Sequence, residues 1–120
     1  MTDRKLQFQV TTNSSMESLV RDPVLFLELL SKEQRQLIAG QVVSQLENQD
    51  GAPTLIDLYI DHILFEAKSS QGSFRLHFKI ARQFCCSDLS SCQADYIDFQ
   101  FKKNNSIIYI TGSYIYWAIQ

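Results

Sequence analysis

From Lys5 to Thr11 polar and apolar residues alternate strictly, with Leu6, Phe8 and Val10 on one face. That period of two is the mark of a half-buried strand. The pattern then changes. Thr11 to Ser15 is polar, and Ser14 with Glu17 has the form of a capping box. Asp22-Pro23 is a second helix start, because proline suits the first helical position. Ser31 with Gln34 is a third. These signals predict helical structure broken into pieces over 15–21, 23–30 and 32–47, the last with Leu37, Ile38, Val42 and Leu46 as its apolar positions.

Asn48 to Pro53 is the strongest punctuation in the chain. Strand signals follow it. Thr54 to Ala67 is long and rich in Ile, Leu, Tyr and Phe. Simple alternation would set His62 on one face with Ile56, Leu58, Ile60 and Leu64, and Tyr59, Ile63 and Phe65 on the other with Asp57 and Asp61. After a turn at Gln71-Gly72, Ser73 to Phe84 alternates cleanly. Phe74, Leu76, Phe78, Ile80 and Phe84 face one way, and Arg75, His77, Lys79 and Gln83 the other. A Ser-rich connection from Cys85 to Gln93 leads to a strand over Asp95 to Lys102, and Asn104-Asn105 turns into a last strand from Ser106 to Ile119.

The order is one strand, then helices, then four strands joined by short turns. It predicts a single α+β domain over 1–120, in which a four-stranded antiparallel meander curves around the helices. In this order of elements the chain resembles the cystatin-like and NTF2-like folds. That resemblance implies an architecture and leaves function to the site.

Composition narrows the function classes. The chain has 120 residues, 45% hydrophobic and 20% charged, which is ordinary for a folded globular domain. The net charge of −2 comes with basic residues that are dispersed, so the concentrated basic face of a nucleic-acid binder is not expected. No apolar run reaches the roughly 18 residues of a membrane span. The polar start at Met1 lacks an apolar signal region, so a cytoplasmic location is expected. The cysteines are Cys85, Cys86 and Cys92. An odd count at this spacing points to free thiols packed as small apolar groups, with neither a disulfide nor a metal knuckle.

No catalytic motif is present: no phosphate-cradling glycine loop, no G-x-S-x-G and no H-E-x-x-H. His62 and His77 are the two histidines, and Asp57 and Asp61 lie close by in sequence. Imidazole beside carboxylate can act in acid–base or metal chemistry, but on these strands a solvated or packing role is expected. No cofactor or metal is expected either. The last strand presents aromatic and aliphatic residues on both faces, through Tyr109, Tyr114, Tyr116 and Trp117. One layer of helices covers one face, and the other either meets a further layer or contacts a partner.

The expected function is therefore non-catalytic protein binding. Its expected site is an apolar centre with an acidic rim on the sheet, comprising Asp57, Tyr59, Asp61, Asp95, Asp98, Tyr114 and Tyr116, and its expected partner is a basic protein or a second copy of the chain. In small size, acidity and lack of catalytic motifs the chain resembles the immunity members of bacterial toxin/immunity pairs, which implies tight binding of one toxin domain. The alternative is a small-ligand or enzymatic NTF2-like domain, with a pocket between helix and sheet lined by groups such as His62.

Overall fold

The computed structural model describes residues 5–83 and 90–114. Tyr116, Trp117, Phe84, Cys85 and Cys86, all singled out from sequence, lie outside the described residues.

The chain runs β1 (Leu6–Thr11), α1 (Met16–Arg21), α2 (Pro23–Glu28), α3 (Lys32–Gln45), β2 (Thr54–Glu66), β3 (Gln71–Gln83), β4 (Ser90–Asn104) and β5 (Ile107–Gly112). It is an α+β fold with one antiparallel sheet in the order β1-β5-β4-β3-β2. β4 begins at Ser90, earlier than the sequence pattern suggests, and β5 ends at Gly112.

Each helix start has a local cause. Ser15, and not Ser14, caps α1, accepting from the Ser18 N–H at 3.2 Å. Pro23 opens α2, where its missing N–H costs nothing, and the Asp22 side chain makes no capping bond. At α3 the capping box is complete: Gln34 N–H donates to Ser31 Oγ at 3.1 Å and Ser31 N–H to Gln34 Oε1 at 2.9 Å. The Gln34 amide nitrogen also donates to the Gln9 carbonyl at 2.9 Å, which ties the start of α3 to β1. Arg35 donates to the carbonyls of Leu27 and Leu30, at 2.8 and 3.2 Å. It thereby adds a donor to the Leu27 carbonyl, which already accepts from the Leu30 N–H at 3.1 Å, and holds the Leu30 carbonyl in the link to α3.

The helices cover one face of the sheet. Met16, Leu19, Phe26, Leu30, Ile38, Val42 and Leu46 are buried against Phe74, Leu76, Phe78 and Ile80 of β3, Ile97, Phe99 and Phe101 of β4, and Ile108 and Ile110 of β5. Phe26 sits at the centre, its ring centroid 4.7 Å from that of Phe74 and 5.5 Å from that of Phe101. Fully burying one such side chain contributes roughly 1.5–3 kcal/mol. Helix α3 contacts both edge strands, β1 and β2. At about 1.5 Å per residue its 14 residues reach roughly 21 Å, about the width of five strands spaced ~4.8 Å apart, so α3 bridges the sheet from edge to edge.

β2 departs from simple alternation. Its register against β3 slips by one residue between Ile56 and Tyr59 and again between Asp61 and Leu64. Asp57 (φ 55°) and His62 (φ 52°) stand at these two bulges in the left-handed region. Each extra residue resets the phase. The apolar positions facing the helices are consequently Leu55, Leu58, Ile60, Ile63 and Phe65, while Ile56, Tyr59, Asp61 and Leu64 alternate with them on the outer face. This corrects the face assignment read from sequence. Ile63 and Phe65 do not accompany Tyr59, and His62 is exposed on the outside rather than lining a pocket under the helices.

Candidate functional site

The outer face of the sheet has no layer over it among the described residues. Its central feature is a row of rings across three strands. Tyr59, His77 and Tyr96 are register partners on β2, β3 and β4. The Tyr59 ring and the His77 imidazole stack with centroids 4.4 Å apart and planes 5° from parallel. His77 and Tyr96 lie 6.1 Å apart and tilted. Tyr59 is 53% exposed and Tyr96 43%, so the row is wet at both ends. Ile56 and the 68%-exposed Leu64 flank it on β2.

The next row is charged. Asp61, Arg75 and Asp98 are register partners on the same three strands. Arg75 grips Asp98 with two parallel bonds, Nε to Oδ1 at 2.7 Å and Nη2 to Oδ2 at 3.1 Å, the two-pronged geometry that suits guanidinium and carboxylate. That bond, with the charge of Asp98 adding to it, pushes the pKa of Arg75 upward. The guanidinium carbon also stands 3.9 Å from the centroid of the Tyr96 ring, a cation–π arrangement. On the other side, Asp61 Oδ1 meets His77 Nε2 at 2.6 Å, and Asp61 Oδ2 is 3.9 Å from His62 Nε2. Asp57 faces Lys79 at 3.7 Å.

Beyond this row, Leu64, Ser73, Gln100 and Thr111 continue across the sheet in register. They line a trough of about 530 Å³ together with His62, Arg75 and Asp98. Such a surface holds hydrogen-bonding groups and rings in fixed positions, with their partners supplied from the neighbouring strand. No family model, curated protein or solved structure matches this chain.

The residues expected to bind a partner divide three ways. Asp57, Tyr59, Asp61 and Asp98 come together on the outer face. Asp95 and Tyr114 do not. Asp95 pairs with Phe78 and so points to the helical side, where Tyr114, 2% exposed, donates its hydroxyl to Asp95 Oδ2 at 2.5 Å. The expectation of an exposed Tyr114 is thus corrected: the chain leaves the sheet after Gly112 and carries the ring into the core beside Phe78. Tyr116 falls outside the described residues.

Sequence reasoning missed Tyr96, Arg75 and Leu64. A period-two reading of β3 and β4 does put Arg75 and Tyr96 on the polar face, but nothing in sequence adjacency joins them to Tyr59. Among the described residues no group of three or more His, Cys, Asp or Glu side chains is arranged to hold a metal ion. Cys92 is exposed rather than packed as a small apolar group.

A second concavity lies on the opposite side of β2. It is an open groove of about 500 Å³ between α3 and the start of β2, walled by Leu30, Ile38, Ala39, Leu55 and Leu58 and bordered by Lys32, Arg35 and Gln36.

Proposed function

We propose that this chain is a non-catalytic protein-binding domain that engages its partner through the outer face of the sheet. The observation that carries the reading is the uncovered row Tyr59–His77–Tyr96, flanked by Ile56 and Leu64. Tyrosine and arginine are the residue types that most often dominate binding energy, because they bury much area for little entropy and keep a polar tip. Here the rings are already ordered by stacking and by Arg75, so little ordering cost remains for association.

The charges on this face act as a frame. Asp57, Asp61 and Asp98 each lie next to a basic side chain of β3. A basic partner would therefore compete with Lys79, His77 and Arg75 for these carboxylates rather than meet a bare acidic rim. The concrete form of the reading is an immunity protein that neutralises a cognate toxin domain by occupying it. Tight, specific and catalysis-free recognition is what a rigid, polar-framed aromatic patch supports.

The test is a binding measurement with the partner obtained by co-purification or taken from the neighbouring gene. Tyr59→Ala and Tyr96→Ala should each weaken affinity by about 1–4 kcal/mol, roughly fivefold to a thousandfold. In the immunity form, co-expression of the chain should abolish toxicity, and the doubly substituted variant should not. Unchanged affinity for both folded variants would move the interface to the helices.

A further inference from the structure

We infer that the groove between α3 and β2 is a binding site for a small carboxylic acid with an apolar chain, of the medium-chain fatty acid type. This is independent of the outer face, from which β2 separates it. The walls are aliphatic: Leu55 and Leu58 of β2 reach the core only in part and leave their remaining surface to the groove, across from Ala39 of α3 and above Leu30 and Ile38. The volume of about 500 Å³ lies within the roughly 300–1,000 Å³ of sites that take small organic ligands.

The border supplies the head-group chemistry. Its two charged residues, Lys32 and Arg35, are both cations. Among the described residues neither forms an ion pair with a carboxylate. Arg35 is held in place by the carbonyls of Leu27 and Leu30, bonds that use Nε and one Nη2 hydrogen. A guanidinium has five N–H groups in a rigid fork, so both Nη1 hydrogens and the second Nη2 hydrogen carry no protein bond among the described residues. The groove thus combines an apolar trench with an oriented cation and a mobile one at its lip and no anion to neutralise them. An apolar body with a single carboxylate matches both parts. A neutral apolar chain matches only the trench, and a phosphate or a dicarboxylate only the lip.

Decanoate is the probe, kept below its micelle concentration and titrated into the intact chain by calorimetry, with ¹⁵N-resolved NMR shifts to locate it. One-to-one saturable binding is expected, with the largest shifts at Ala39, Leu55 and Leu58 and none at Tyr96 or Asp98. Decanol should bind about tenfold more weakly, as should decanoate to Lys32→Glu, because each loses a charge-assisted contact. Lys32 is exposed, so its replacement leaves the fold intact. Ala39→Phe, which fills the trench, should abolish binding, and Arg35→Lys, which retains the charge without the fork, should weaken it. The inference is overturned if decanoate does not saturate, if decanol binds equally well, or if Ala39→Phe, shown folded by its NMR spectrum, binds as the parent does.

Discussion

The imidazole of His77 lies flat against the ring of Tyr59, 4.4 Å between centroids, while its Nε2 meets Asp61 at 2.6 Å. Two residues of β2 thereby fix one histidine of β3 from two directions, one through the face of the ring and one through its edge. The pair is possible because the bulge at Asp57 turns Tyr59 to the outside. Stacked ring pairs contribute about 0.5–1.5 kcal/mol beyond area burial. A double-mutant cycle with Tyr59→Ala and His77→Ala should return a coupling in that range by urea denaturation. A coupling near zero would mean that the two rings do not hold each other.

The bulge residues carry their own prediction. His62 has a φ of 52°, which side chains branched at Cβ avoid. His62→Gly should leave stability unchanged or raise it slightly, whereas His62→Val should cost about 1–2 kcal/mol. If His62→Val unfolds at the same urea midpoint as the parent, the bulge is not where the structure places it.

Two glycines should respond in opposite ways to alanine. At Gly72 an added Cβ would run into the Leu64 carbonyl oxygen and the Phe101 ring. Gly72→Ala should therefore cost about 1–3 kcal/mol through overpacking. At Gly40, inside α3, nothing lies within 4 Å, so Gly40→Ala should stabilise by about 0.5–1 kcal/mol through reduced backbone entropy in the unfolded chain. Thermal unfolding of the two variants checks both signs.

Tyr114→Phe should lower stability by about 1–3 kcal/mol, because it removes a donor from the half-buried Asp95 carboxylate. It should leave partner affinity unchanged, in contrast to Tyr59→Ala. A loss of affinity without a loss of stability would return Tyr114 to the interface.

Much of the fold was legible in the chain. The α+β class, the antiparallel sheet, the broken helical region and the core faces of β1 and β3 follow from local periodicity and from Ser31, Gln34 and Pro23, whose effects reach only a few residues along the backbone. The bulges of β2 were less so. Ile56, Tyr59 and Leu64 are as apolar as the residues facing the core, which masks the 3-2-3-2 spacing from Leu55 to Phe65. The available sign was residue type: Asp57 and His62 belong to the few types enriched at positive φ.

The sequence by itself determined the order of strands and helices and that one sheet face must be apolar, because those properties depend on neighbours two to four positions away; the start of β4 at Ser90 and the end of β5 at Gly112 came only with the structure. Only the tertiary structure decided what meets on the other face. Tyr59, His77 and Tyr96, like Asp61, Arg75 and Asp98, are far apart in the chain and become adjacent through strand register alone. The same holds for Tyr114, whose burial depends on the chain turning inward after Gly112 to reach Asp95. Register is set by bulges, turns and the packing of the opposite face together, and such a sum over distant contacts has no local signature.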